Sequence, residues 1–151
     1  MNRTYVIQQY NQPAWFLIDA KDKTLGRLST QIANTLKNKH SIYYTPYQIN
    51  KAHIIIINAA YIKVSGQKQY KKMYRRHSGR PGGLKTESFI QLQKKMPERI
   101  IEKSVKGMLP KNALGRRLFA SLKIYSGPDH PHKTHKLVAL PNQQFETKRN
   151  T

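Results

Sequence analysis

The sequence predicts an α/β fold built on a short parallel sheet, and three observations carry that reading. Trp15-Phe16-Leu17-Ile18 is a continuous apolar run ending at Asp19, and reads as a strand buried on both faces. His53 through Asn58 is a second buried strand, β-branched and too short for a core helix. Between them Leu25, Leu28, Ile32 and Leu36 recur at helical spacing. Strand, helix, strand in this order implies a right-handed βαβ unit with parallel strands. A length of 151 residues suits one domain.

Each element has a local reason. Thr24 is placed to cap the first helix, with Arg27, Gln31, Asn34 and Lys37 turned away from its apolar stripe. Tyr43-Tyr44-Thr45-Pro46-Tyr47 is an irregular aromatic segment punctuated by proline. Tyr61 to Ser65 reads as a short strand turning at Gly66. A strongly basic segment follows, and Gly79, Pro81, Gly82 and Gly83 make its end a loop. Phe89, Leu92 and Met96 mark a short helix behind Thr86. Pro97 suits a first helical position and Glu98 the positive end of the helix dipole. That helix turns Ile101, Val105 and Met108 inward and stops by Pro110. Asn112 caps a third helix with Leu114, Leu118 and Leu122 on one face, and Ile124-Tyr125 adds a last strand before Gly127-Pro128. The expected organisation is an N-terminal extension over 1–12, an α/β domain over 13–128, and an extended, polar C-terminal tail over 129–151.

Charge sets the function class. The chain has 28 Lys and Arg against 7 Asp and Glu, a formal net charge of +21. Such a fold repels itself and is relieved by a polyanion, with counterion release supplying affinity. A membrane surface is the rival polyanion. The longest apolar run cannot span a bilayer, and no lipidation motif or polybasic amphipathic helix is present. With no cysteine there are no disulfides, thiol catalysis or cysteine zinc sites. Met1 to Tyr5 carry neither an apolar signal region nor an Arg/Ser-rich leader, so either the chain acts where it is made or a leader has been removed. Richness in Asn, Lys, Ile and Tyr fits an AT-rich coding genome, such as that of an organelle.

From Asp22 to Glu87 no acidic residue intervenes. The densest basic part holds Lys68, Lys71, Lys72, Arg75, Arg76, Arg80 and Lys85, with Tyr70, Tyr74, His77, Ser78 and Gly79 among them. Guanidinium groups fork onto phosphate oxygens, rings stack on bases, and glycines let backbone N–H groups approach an anion. The pattern is not a nucleotide-triphosphate P-loop, and Gly26 alone makes no dinucleotide fingerprint. A second basic group, Lys106, Lys111, Arg116 and Arg117, lies where two helices join, near a helix start with unpaired N–H groups. His130, His132 and His135 with Asp129 resemble a zinc set. Yet Pro131 extends the backbone and Lys133 and Lys136 oppose a cation, so RNA contact is the default and no metal is expected. His40 and His77 offer an acid/base pair for phosphodiester cleavage, a nuclease reading weaker than phosphate or base contact.

At these residues the sequence resembles the ribosomal protein L13 family in its bacterial and plastid form. The similarity starts at Trp15-Phe16-Leu17-Ile18-Asp19-Ala20 and Lys23-Thr24-Leu25-Gly26-Arg27-Leu28, and runs through Lys39-His40, Tyr44-Thr45-Pro46 and Ile57-Asn58-Ala59. Tyr74 with His77-Ser78-Gly79 and Pro81-Gly82-Gly83-Leu84-Lys85 matches the family's loop. Pro97-Glu98-Arg99-Ile100, Val105 to Lys111, Leu114-Gly115-Arg116, Leu122 to Tyr125 and Gly127 to His132 complete it. Departures are Tyr47 and Ala52-His53, Arg80, and the run Lys133 to Leu137.

The resemblance implies a three-layer α/β/α domain around a small, mainly parallel sheet. It implies a non-catalytic, rRNA-binding constituent of the large ribosomal subunit that supports assembly, without cofactor or small-molecule substrate. Neighbouring large-subunit proteins are the other expected partners, and a plastid stroma is favoured over a bacterial cytoplasm. The alternative is a free basic RNA-binding protein or regulator off the ribosome. The RNA-contacting set so read comprises Arg27, Lys39, His40, Tyr44, Lys68, Lys71, Lys72, Tyr74, Arg75, Arg76, His77, Ser78, Gly79, Arg80, Lys85, Lys106, Lys111, Arg116, Arg117, His130 and His132.

Overall fold

Four parallel strands in the order β5-β2-β1-β6 organise the molecule. A computed structural model describes residues 13–42, 44–49 and 51–140; the expected N-terminal extension, Tyr43 and the segment from 141 lie outside them. The strands are β1 (Ala14–Asp19), β2 (Ala52–Ile57), β5 (Leu122–Ile124) and β6 (Leu137–Ala139). β1 and β2 pair in register from Ala14↔Ala52 to Asp19↔Ile57, as the βαβ reading requires. A separate antiparallel hairpin, β3 (Met73–His77) with β4 (Leu84–Ser88), runs in register from Met73↔Ser88 to His77↔Leu84.

The helices are α1 (Leu25–Leu36), the single-turn α2 (Lys68–Lys71), α3 (Phe89–Lys95), α4 (Glu98–Met108) and α5 (Ala113–Ala120). Strand alternation divides the sheet. Phe16, Ile18, Ile54 and Ile56 face the helices, meeting Ile32 and Leu36 of α1, Phe89 of α3, Ile101 and Val105 of α4 and Leu118 of α5. Trp15, Leu17, His53 and Ile55 alternate onto the other face. There His132 and His135, from the connection between β5 and β6, pack against Trp15.

β2 is buried on both faces, its Ile54, Ile55 and Ile56 fully enclosed. β1 is less so: only Ile18 is buried, while Trp15, Phe16 and Leu17 are half-buried.

Local chemistry corrects several expectations. Thr24 occupies the N-cap position, but its hydroxyl makes no capping bond and is buried without a partner. A strand-like bridge to Lys63 does the work, the Leu25 N–H donating to the Lys63 carbonyl at 2.9 Å. Tyr61 to Ser65 is therefore not a strand: Ala59–Tyr61 forms a 3-10 turn entered through Asn58 in the left-handed region. The cap of α3 is Ser88, not Thr86, which lies within β4. Ser88 and Gln91 form a reciprocal capping box. Met96 and Met108 are 39% and 37% exposed rather than inward, because each sits at a helix end. Leu122 belongs to β5, not to the face of α5. Asn112 caps α5 as read, its Oδ1 accepting from the Gly115 N–H at 2.9 Å. After Asp129 the polar composition carries no strand signal, yet Leu137–Ala139 joins the sheet as β6.

Candidate nucleic-acid interface

The basic segment is a hairpin rather than a simple loop. Alternation puts Arg75 and His77 on its outer face and Tyr74 and Arg76 on the face toward α3 and α4. Arg76 stands directly opposite Lys85 in register, a like-charge pair that weakens a sheet. Gly79 and Gly82 turn the tip with φ of 90° and 72°, values open to glycine. Gly83 is required by space, since a Cβ there would lie 2.0 Å from the Ser78 hydroxyl. The tip is braced internally: the Gly79 N–H donates to His77 Nδ1 at 2.9 Å and the Gly83 N–H to the Arg80 carbonyl at 3.0 Å. Those two glycine N–H groups are thus engaged within the chain instead of facing an anion. The bond to Nδ1 leaves the neutral His77 ring with its proton on Nε2.

The α4–α5 turn forms the second basic surface. Pro110 packs its carbonyl so close to Gly115 that a Cβ there would lie 1.8 Å away. This turn has a cavity on each side. One, of about 390 Å³, is lined by Lys106, Lys111, Asn112, Arg116 and Phe119 among others, with the Lys106 ammonium 6.0 Å from the Phe119 ring centre. The other, of about 370 Å³, brings Lys37, Lys39 and Tyr44 against Pro110 and Asn112. So Lys39 and Tyr44, remote in sequence from Lys111 and Arg116, border the same turn. Lys37 ties the two segments, its Nζ donating to the Met108 carbonyl at 2.6 Å. Burial first, and then the nearby Lys39, hold the Lys37 ammonium below its ordinary pKa.

Other predicted residues are placed separately. Lys68, Lys71 and Lys72 line a shallow surface hollow beside Gly66. Arg27, His40, Arg80 and Arg117 are exposed, and none lines these cavities. His130 is half-buried with Nδ1 unpartnered. His132 is a packing residue: it shares a 2.9 Å hydrogen bond with the Tyr125 hydroxyl and sits 5.5 Å from the Trp15 ring. Among the described residues no three His, Asp or Glu side chains are grouped to hold a metal, and no helix is long and apolar enough to cross a membrane.

Sequence reading passed over Lys95, Arg99 and Lys103, which face the inner side of the hairpin. Their spacing of four residues was the available signal, masked by the break at Met96-Pro97.

Positive charge is almost unopposed over this surface. Among the described residues two ion pairs form, Lys63 with Asp22 at 2.7 Å and Lys95 with Glu87 at 3.6 Å. A parallel α/β domain whose hairpin and interhelix turn carry unneutralised cations belongs to the class of basic proteins suited to a polyanion.

The comparison with known families is specific. The model of the family described as Ribosomal protein L13 matches residues 13–131, and the chain belongs to that family. It is similar to the large ribosomal subunit protein uL13c of the red alga Pyropia yezoensis, 56% identical over 136 residues covering 90% of this chain and 96% of that protein. The protein of the same name from Porphyra purpurea is 54% identical over the same shares. The large ribosomal subunit protein uL13 of a Cyanothece strain is 53% identical over 93% of this chain and 95% of its own length.

Proposed function

We infer that this chain is a structural, non-catalytic constituent of the large ribosomal subunit, seated on rRNA and adjoining other large-subunit proteins. The observation that carries the reading is the lack of counter-charge. A net charge of +21 with two ion pairs among the described residues leaves the hairpin and the α4–α5 turn needing an external polyanion. Arg75, Arg76, Lys106, Lys111, Arg116 and their neighbours neutralise phosphates that folded rRNA must bring together. Tyr44 and His77 stack on or hydrogen-bond to unpaired nucleotides, where RNA is readable, since its deep major groove is not. The names of the red algal and cyanobacterial relatives support both the ribosomal assignment and a plastid as the compartment.

Sucrose-gradient sedimentation of the tagged protein in native lysate, repeated after a high-salt wash, tests this. Co-migration with the large subunit at about one copy per particle, resistant to salt, is the expected outcome. A position at the top of the gradient, or release by moderate salt, leaves a free RNA-binding protein instead.

A further inference from the structure

The inner face of the hairpin does not close against the helices. Between it and the α3–α4 corner lies a cavity of about 200 Å³. One wall is Tyr74, Arg76, Lys85 and Glu87 from the hairpin; the other carries Lys95, Arg99 and Lys103. Five cationic side chains thus converge on a space holding one carboxylate, and that carboxylate is already drawn to Lys95 at 3.6 Å.

Tyr74 sits at the centre. Its ring is flanked by the ammonium groups of Lys72 and Lys103, 5.4 and 5.1 Å from the ring centre, and leans on Phe89 at 6.5 Å. Its hydroxyl oxygen is buried with no hydrogen-bond partner. Buried hydroxyls of this kind are normally hydrogen-bonded, and an exception calls for a partner. Burial also raises the Tyr74 pKa, which keeps the phenol protonated and able to donate.

We propose that this cavity receives one RNA backbone phosphate, held by Arg76, Arg99 and Lys103 and hydrogen-bonded by the Tyr74 hydroxyl. An anion suits this space because the lining is cationic and its one unsatisfied group, the Tyr74 hydroxyl, can donate to it. Size selects the phosphodiester: the cavity is smaller than the ~300–1,000 Å³ of pockets that enclose whole small molecules. It admits a phosphate and the edge of a sugar while the base stays outside. The site is composite, since neither the hairpin nor the helical corner alone encloses the anion. Docking would therefore fix the hairpin's angle to the domain. The inference rests on the rRNA-binding reading and names the group bound on the hairpin's hidden side.

The full chain, labelled with ¹³C at the tyrosine ζ carbons, is titrated with dimethyl phosphate and in parallel with acetate; Tyr74→Phe identifies the resonance. Separately, affinity for a large-subunit rRNA transcript is followed across a salt series for the parent chain and for Arg99→Gln with Lys103→Gln. Both substitutions fall on exposed side chains, and amide spectra confirm the fold. The Tyr74 resonance should shift saturably with dimethyl phosphate and not with acetate. The double variant should lose about one unit of slope in log K against log salt, one phosphate's worth. A Tyr74 resonance that stays still, or that follows acetate as a protein carboxylate site would, overturns the pocket. An unchanged slope does so too. A parent chain that binds unrelated RNA as well as large-subunit rRNA overturns the ribosomal reading instead, and the dimethyl phosphate titration still decides the pocket.

Discussion

Gly115 and Gly107 show how one atom decides the sign of a substitution. In a helix, alanine is favoured over glycine by about 0.8–1 kcal/mol. Gly107, near the end of α4, has open space for 4 Å around the place a Cβ would take, so Gly107→Ala should gain most of that amount. At Gly115 the same methyl would lie 1.8 Å from the Pro110 carbonyl oxygen. There the overpacking cost of ~1–3 kcal/mol exceeds the helical gain, and Gly115→Ala should destabilise. Urea denaturation of the two variants should move the midpoints in opposite directions.

His53 offers a second test. Its ring stacks on Trp15 at 4.4 Å, while His135 stacks on Trp15 at 4.0 Å. Burial, then Lys123, then His135 lower the His53 pKa from its ordinary 6.5. The unfolded chain therefore takes up this proton first as pH falls, so stability is full above 6.5 and is lost below it, until the folded-state pKa is passed. Unfolding midpoints followed by fluorescence of Trp15, the single tryptophan, should drop between pH 7.5 and 5.5. His53→Gln should flatten that drop, and an unchanged profile would dismiss the linkage.

At the level of elements, the capping box at Ser88 anchors α3, which braces the hairpin through Phe89 and Lys95. Ser88→Ala should cost about 1 kcal/mol, seen as a lower denaturation midpoint with the fold retained. On the two basic elements, Arg76→Glu with Arg116→Glu should reduce incorporation into the large subunit while leaving circular dichroism unchanged. Unchanged incorporation would remove both elements from the interface. β1, α1 and β2 were legible because an apolar run and a helical period are strong local signals, as was the Asn112 cap. The hairpin was not: Arg75, Arg76 and His77 give its strands no apolar alternation, and their extended state depends on pairing with β4. Leu137-Val138-Ala139 is too short to announce β6, whose partner is Trp15 to Leu17 at the other end of the domain. The basic surfaces were readable from charge alone. The Tyr74 cavity was not, since the hairpin and the α3–α4 corner meet only in three dimensions, and the contacts of His132 with Tyr125 and Trp15 likewise arise only in the fold.

For the whole molecule, self-repulsion from a charge of +21 should make the free protein more stable as salt rises. Screening length falls from about 10 Å at 0.1 M to about 3 Å at 1 M. The thermal midpoint of the isolated chain should therefore climb over that range while its affinity for RNA declines. A midpoint that falls with salt would mean that attractive charge pairs dominate the free fold. The strand order has a different consequence, one of timing. Among the described strands β1 is the first to be synthesised, yet its pairing with Leu137, Val138 and Ala139 waits until the last of them is made. Throughout that interval a nascent chain holds an open strand edge beside Trp15 and Phe16, of the kind that recruits foreign strands. Chains broken off before Leu137 keep that edge permanently, so premature termination yields a sticky, incomplete sheet rather than a merely shortened protein.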